Sequence, residues 1–131
     1  MMTKDMMYLA WTALLTAALW IPYIVSQVMA NGLLMPANYR DPTPRPVPLW
    51  GQRANRAHLN AVEALAPFAA LVIIAHLTGT ANEATAMWAG VFFWSRVAHV
   101  IAFYLAIPYV RTIVFTAGFV AVVAIFLQVT A

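Results

Sequence analysis

The chain has 131 residues, of which 64% are hydrophobic and only 8% charged. About a quarter of the residues of a soluble domain are charged, so this composition excludes one and describes an integral membrane protein. The formal charge of +3 comes from seven scattered basic residues, a pattern that speaks for orientation in a membrane rather than for nucleic-acid binding.

No cysteine is present, which excludes a disulfide framework, a thiolate metal site and a thiol nucleophile. At about 20–25 residues per span, the length allows four spans and one real loop within a single membrane domain covering residues 1–131. The predicted class is an all-α bundle of four transmembrane helices.

Span one is predicted over about residues 4–32. Its apolar stretch begins at Met6 and continues past Val28, too long for a signal peptide, and Lys4-Asp5 is a poor positive flank, so the segment reads as a retained helix. Pro22 is expected to kink it by removing a backbone donor, and Asn31-Gly32 is a natural stop.

A proline-rich loop follows over residues 33–52. Proline at every second position from Pro42 to Pro48 favours polyproline II and forbids a helix, which suits a stiff interfacial connector. Tyr39 and Trp50 flank it as rings at a headgroup boundary.

Span two, about residues 53–77, carries Arg56, Asn60, Glu63 and Pro67 at i, i+4, i+7 and i+11, on one stripe of a helix. Stranded in lipid, charged groups cost roughly 2–4 kcal/mol each at the midplane, so this stripe is expected to face protein or water. A structural ion pair between Glu63 and an arginine is one reading of it, and a ligand site is the other.

Asn82 is a candidate N-cap for span three, about residues 83–107, which holds Arg96 and His99 on one face. Span four, about residues 110–129, begins with Arg111 and is almost wholly apolar afterwards. His58 and His76 fall on other faces or depths, so no metal site is expected.

Arg40, Arg45, Arg53, Arg56 and Arg111 lie on one side of the membrane, and only Lys4 lies on the other. The positive-inside rule then turns both termini away from the cytoplasm and makes the proline-rich loop cytoplasmic. The polar groups of spans two, three and four converge at cytoplasmic depth. Such a pocket is strongly positive and suits an anionic ligand with carboxylates, which guanidinium binds in a forked geometry.

The run Arg56-Ala-His-Leu-Asn60-Ala-Val-Glu63 with Pro67-Phe68, then Arg96-Val-Ala-His99 and Arg111, resembles the MAPEG family, the membrane-associated proteins of eicosanoid and glutathione metabolism. The resemblance covers nearly the whole chain. It implies a left-handed four-helix protomer, a homotrimer with active sites between protomers, and glutathione held by basic residues. It further implies an inner, plasma or internal membrane and an apolar small-molecule substrate.

Carried over residue by residue, Asn60 and Glu63 would contact the peptide part of glutathione, together with Arg56, Arg96, His99 and Tyr104. Arg111, with Thr112 beside it, would steady the thiolate, because a guanidinium lowers a thiol pKa from about 8.5.

Four positions depart from the family pattern, one of them Thr112, which stands where the pattern has a serine beside the span-four arginine. Leu59 stands where related enzymes carry an arginine, and Phe103 and Phe115 stand where they carry tyrosines. Each lost hydrogen bond to a charged group weakens binding by roughly 1.5–3 kcal/mol. The expected function is a glutathione-dependent transferase or peroxidase acting on apolar electrophiles. The alternatives are a non-catalytic binding or assembly subunit of the same fold and, less favoured, a small proton-coupled exporter built on Glu63.

Overall fold

The computed structural model describes residues 2–33, 43 and 45–131. It is all helix: α1 (Lys4–Ala18), α2 (Trp20–Asn31), α3 (Leu49–Leu77), α4 (Glu83–Tyr104) and α5 (Val110–Thr130). The expectations for Tyr39, Arg40 and most of the proline run lie outside the described residues. The last residues of that run agree with the sequence reading, since Pro48 has φ −63° and ψ 165°.

Taken together, α1 and α2 form the first span, so four segments are long and apolar enough to cross a membrane. The break between them follows from Pro22. It sits in the first turn of α2, where its missing amide is harmless to α2 but withholds a partner from the Ala18 carbonyl. The chain passes through Leu19 with its amide donating back to the Thr16 carbonyl.

α3 begins at Leu49, one turn before the predicted start, and runs unbroken through Pro67. Proline there withholds the amide that the Glu63 carbonyl would otherwise accept. α4 starts on Asn82 in a reciprocal cap, with Asn82 Oδ1 accepting from the Thr85 amide at 2.9 Å and Thr85 Oγ1 accepting from the Asn82 amide at 2.8 Å. Asn82→Ala should therefore lower stability by about 1 kcal/mol. Reversible denaturation in detergent would measure this, with Asn82→Asp expected close to wild type.

α4 ends at Tyr104, three residues short of the expected Ile107. The turn that follows needs left-handed backbone at Ala106 (φ 56°) and Tyr109 (φ 65°), which costs ~1–2 kcal/mol at each non-glycine residue. That turn fixes the angle at which α5 sets out, and hence where Arg111 arrives.

The core lies among α3, α4 and α5. Phe68 and Phe92 stack with centroids 4.0 Å apart, and Val72, Ala89, Ala121 and Ile125 close around them. Small residues let the helices approach closely. A Cβ on Gly90 would touch the Tyr8 ring at 3.0 Å, and one on Gly118 would meet Ser95 Oγ at the same distance.

Thr12 and Thr16, buried on α1, satisfy their hydroxyls on the Tyr8 and Thr12 carbonyls of their own helix. Around the outside, large apolar side chains such as Leu14, Met29, Leu77 and Ile113 are exposed. A soluble monomer does not present such a belt; a bilayer covers it.

Candidate functional site

The sequence stripe on α3 meets α4 at one bond. Arg96 Nη2 donates to Asn60 Oδ1 at 2.8 Å, across 36 residues of chain. Arg96 is only 4% exposed, yet its Nε has no partner, and among the described residues it forms no ion pair. A guanidinium this secluded without a carboxylate is costly, because the amide oxygen of Asn60 supplies a dipole and no countercharge.

Arg96 and Asn60 stand at the polar end of a cleft of about 340 Å³ between α3, α4 and α5. Glu63 lies in the same wall, and no ion pair joins it to an arginine among the described residues. The structural reading of Glu63 as half of an internal ion pair is therefore not what the described residues display. Beyond the polar end the cleft is hydrocarbon: Pro67, Phe92, Phe115, Phe119 and Val122. Gly118 also lines it.

A smaller recess of about 260 Å³ adjoins it, lined by Arg56, Leu59, Asn60, Glu63 and Phe103. Asn60 and Glu63 belong to both, so the two spaces share one wall. The helical spacing of Arg56, Asn60 and Glu63 thus does bring them together.

His99 is 3% exposed, and its Nδ1 has no partner. Its ring lies 5.4 Å from Phe103 and 6.3 Å from Phe115. Arg111 also lies over Phe103, its guanidinium carbon 4.7 Å from the ring centroid. His99 and Arg111 therefore both lie against the Phe103 ring. Phe103 takes the place of a phenol expected from the family pattern, and it offers Arg111 a ring face instead of a hydroxyl.

Four sequence candidates line neither recess: His99 and Arg111, which touch Phe103 of the smaller one, and Tyr104 and Thr112, which lie farther apart. The Tyr104 ring packs against Leu19, Ala61 and Val100, with its buried hydroxyl unpartnered, and it lines neither recess. One residue along a helix is a rotation of about 100°, which carries Tyr104 to the α1 side while Phe103 faces Arg111. Thr112 is exposed on α5, and its carbonyl accepts from Thr116 Oγ1 at 2.8 Å.

Sequence reasoning overlooked Phe92, Gly118, Phe119 and Val122, which shape the apolar length of the cleft. A glycine in the middle of an otherwise hydrocarbon span was the available signal for Gly118.

Arranged this way, the two recesses can receive an anion at Arg96 and Arg56, a cationic group at Glu63, and a hydrocarbon body along α5, while Arg111 lies outside both linings against Phe103. Among the described residues no group of histidines and acidic residues could hold a metal ion. Compared with known proteins, residues 6–131 match the family model described as the MAPEG family. No curated protein matches the chain.

Proposed function

The chain belongs to the MAPEG family, and from that premise we propose that it is a glutathione-dependent transferase or peroxidase acting on apolar electrophiles drawn from the bilayer. One observation carries the reading: Arg96, secluded and bonded to Asn60, forms no ion pair among the described residues at the wall of a cleft that continues as hydrocarbon. An anionic peptide supplies a countercharge, and an apolar substrate fills the remainder.

In this reading Arg96 and Arg56 take carboxylates, while Glu63 takes the ammonium of the same peptide. Asn60 holds the Arg96 guanidinium in position and presents its amide to the peptide. Arg111, held against Phe103, faces the sulfur and favours its anionic form. The thiolate then attacks the electrophilic carbon of a substrate lying against Phe115 and Phe119, forming the sulfur–carbon bond as the leaving group departs. The cleft opens on the flank of a single protomer, so a neighbouring protomer in a homotrimer is the natural cover for it.

Purified protein should bind glutathione saturably at millimolar concentration and conjugate an aryl halide. Arg111→Ala should cut kcat about 100-fold, the scale of removing one group aimed at developing negative charge. No saturable binding at millimolar glutathione would end this reading. Phe115→Tyr, which restores a phenol to the cleft, should tighten glutathione binding by about 10-fold, since a hydrogen bond to a charged partner contributes roughly 1.5–3 kcal/mol. Calorimetric titration would read it.

A further inference from the structure

The arginine-bearing end of the bundle contains another recess, separate from the cleft. It measures about 330 Å³ and lies between α2, the extended residues 45–48 and the first turns of α3. Tyr23, Arg45, Gln52, Asn55 and Arg56 line it, and among the described residues no carboxylate does.

The recess is held in shape. Arg45 Nη1 donates to the Asn31 carbonyl at 3.4 Å, and Asn31 Nδ2 donates to the Pro46 carbonyl at 2.9 Å. Gln52 Nε2 donates to the Val47 carbonyl at 3.2 Å, tying the same segment to α3. Tyr23 accepts from Gln27 Nε2 at 2.7 Å, which leaves its own O–H to donate elsewhere. Two guanidinium groups, two amides and a phenol make a donor-rich wall with two positive charges, the complement of a phosphate.

Position argues for where that phosphate comes from. The recess lies where α2 ends and α3 begins, which is headgroup depth for spanning helices. One residue around α2 from Tyr23 and Gln27, the exposed Trp20, Ile24 and Val28 form a strip along the helix. A soluble phosphate has no use for such a strip, but an acyl chain does.

We propose that this recess binds the phosphate of an anionic phospholipid, with Arg45 and Arg56 on the phosphate and the acyl chain along Trp20, Ile24 and Val28. Lipid binding here does not require glutathione, although both sites draw on Arg56. Arg56 also lines the smaller recess beside Glu63, so the lipid phosphate would draw on a side chain that the catalytic cleft shares.

The test uses full-length protein in phosphatidylcholine nanodiscs containing trace spin-labelled phosphatidylglycerol or spin-labelled phosphatidylcholine. The motionally restricted fraction should favour phosphatidylglycerol by about fivefold or more, the scale of one basic residue at a membrane surface. Arg45→Gln should bring the preference close to parity, whereas Arg45→Lys and the distant Lys4→Gln should keep most of it. Millimolar inorganic phosphate should leave it in place. Parity in the wild-type protein, or an undiminished preference in Arg45→Gln, would overturn the proposal. So would equal losses in Arg45→Lys and Arg45→Gln, or a loss in Lys4→Gln. Displacement by inorganic phosphate would overturn it by assigning the recess to a soluble anion.

Discussion

Arg96→Met is expected to weaken glutathione binding by about 10- to 100-fold, from roughly 1.5–3 kcal/mol for hydrogen bonds to a charged partner. It should do so without lowering the stability of the ligand-free protein. The two effects separate because Arg96 is secluded and, among the described residues, bonds to the Asn60 amide and forms no ion pair. Removing such a charge relieves a desolvation cost, while methionine preserves much of the packing volume. A structural arginine would behave in the opposite way, losing stability and leaving affinity alone. Calorimetric titration gives the affinity, and thermal unfolding in detergent gives the stability. The same affinity with a lower Tm would remove Arg96 from the site.

Gly51→Ala should be the most damaging single-methyl change in the bundle, at about 1–3 kcal/mol, the range found for overpacking. A Cβ at residue 51 would collide with both Oγ and Cβ of Ser26. Neither atom can easily retreat, because Ser26 is fully buried and its hydroxyl donates to the Tyr23 carbonyl at 2.6 Å. The contact joins α2 to the first turn of α3, so the change should loosen the helix pair that flanks the Arg45 recess. Ser26→Gly in the same chain should recover most of the loss, since it removes both clashing atoms. Additive losses in the double variant, with no recovery, would show that the two residues do not meet.

The chain's architecture was readable because its signals are local. Four apolar stretches, the break near Pro22 and the Asn82 cap each follow from a few neighbouring residues. The stripe of Arg56, Asn60, Glu63 and Pro67 was readable for the same reason, since helical spacing alone puts them on one face. What the spacing could not show is which partner each group meets. Arg96 bonds to Asn60 because of how α3 packs on α4, and the stacked pair Phe68 and Phe92 is part of that packing.

The distinction between Phe103 and Tyr104 needed three dimensions as well. It depends on the rotation of α4 and on the left-handed residues Ala106 and Tyr109, which bring Arg111 over Phe103. Neither alanine nor tyrosine announces that backbone in a sequence. The recess around Arg45 was equally hidden, because its walls come from α2, an extended segment and α3, and no motif links them.

Orientation remains an expectation of the charge distribution, and the absence of cysteine makes it simple to check. A single cysteine placed at Thr3 should react with an impermeant maleimide from the non-cytoplasmic side, and one placed at Gln52 should not.

If Arg56, Asn60 and Glu63 of α3 and Arg96 of α4 together accept one anion, a cryo-electron-microscopy map of the purified protein with glutathione should show density joining all four side chains, with the sulfur end beside Arg111 and Phe103. A map with no glutathione density in the cleft, and a neighbouring chain's carboxylate neutralising Arg96, would refute the shared anion site.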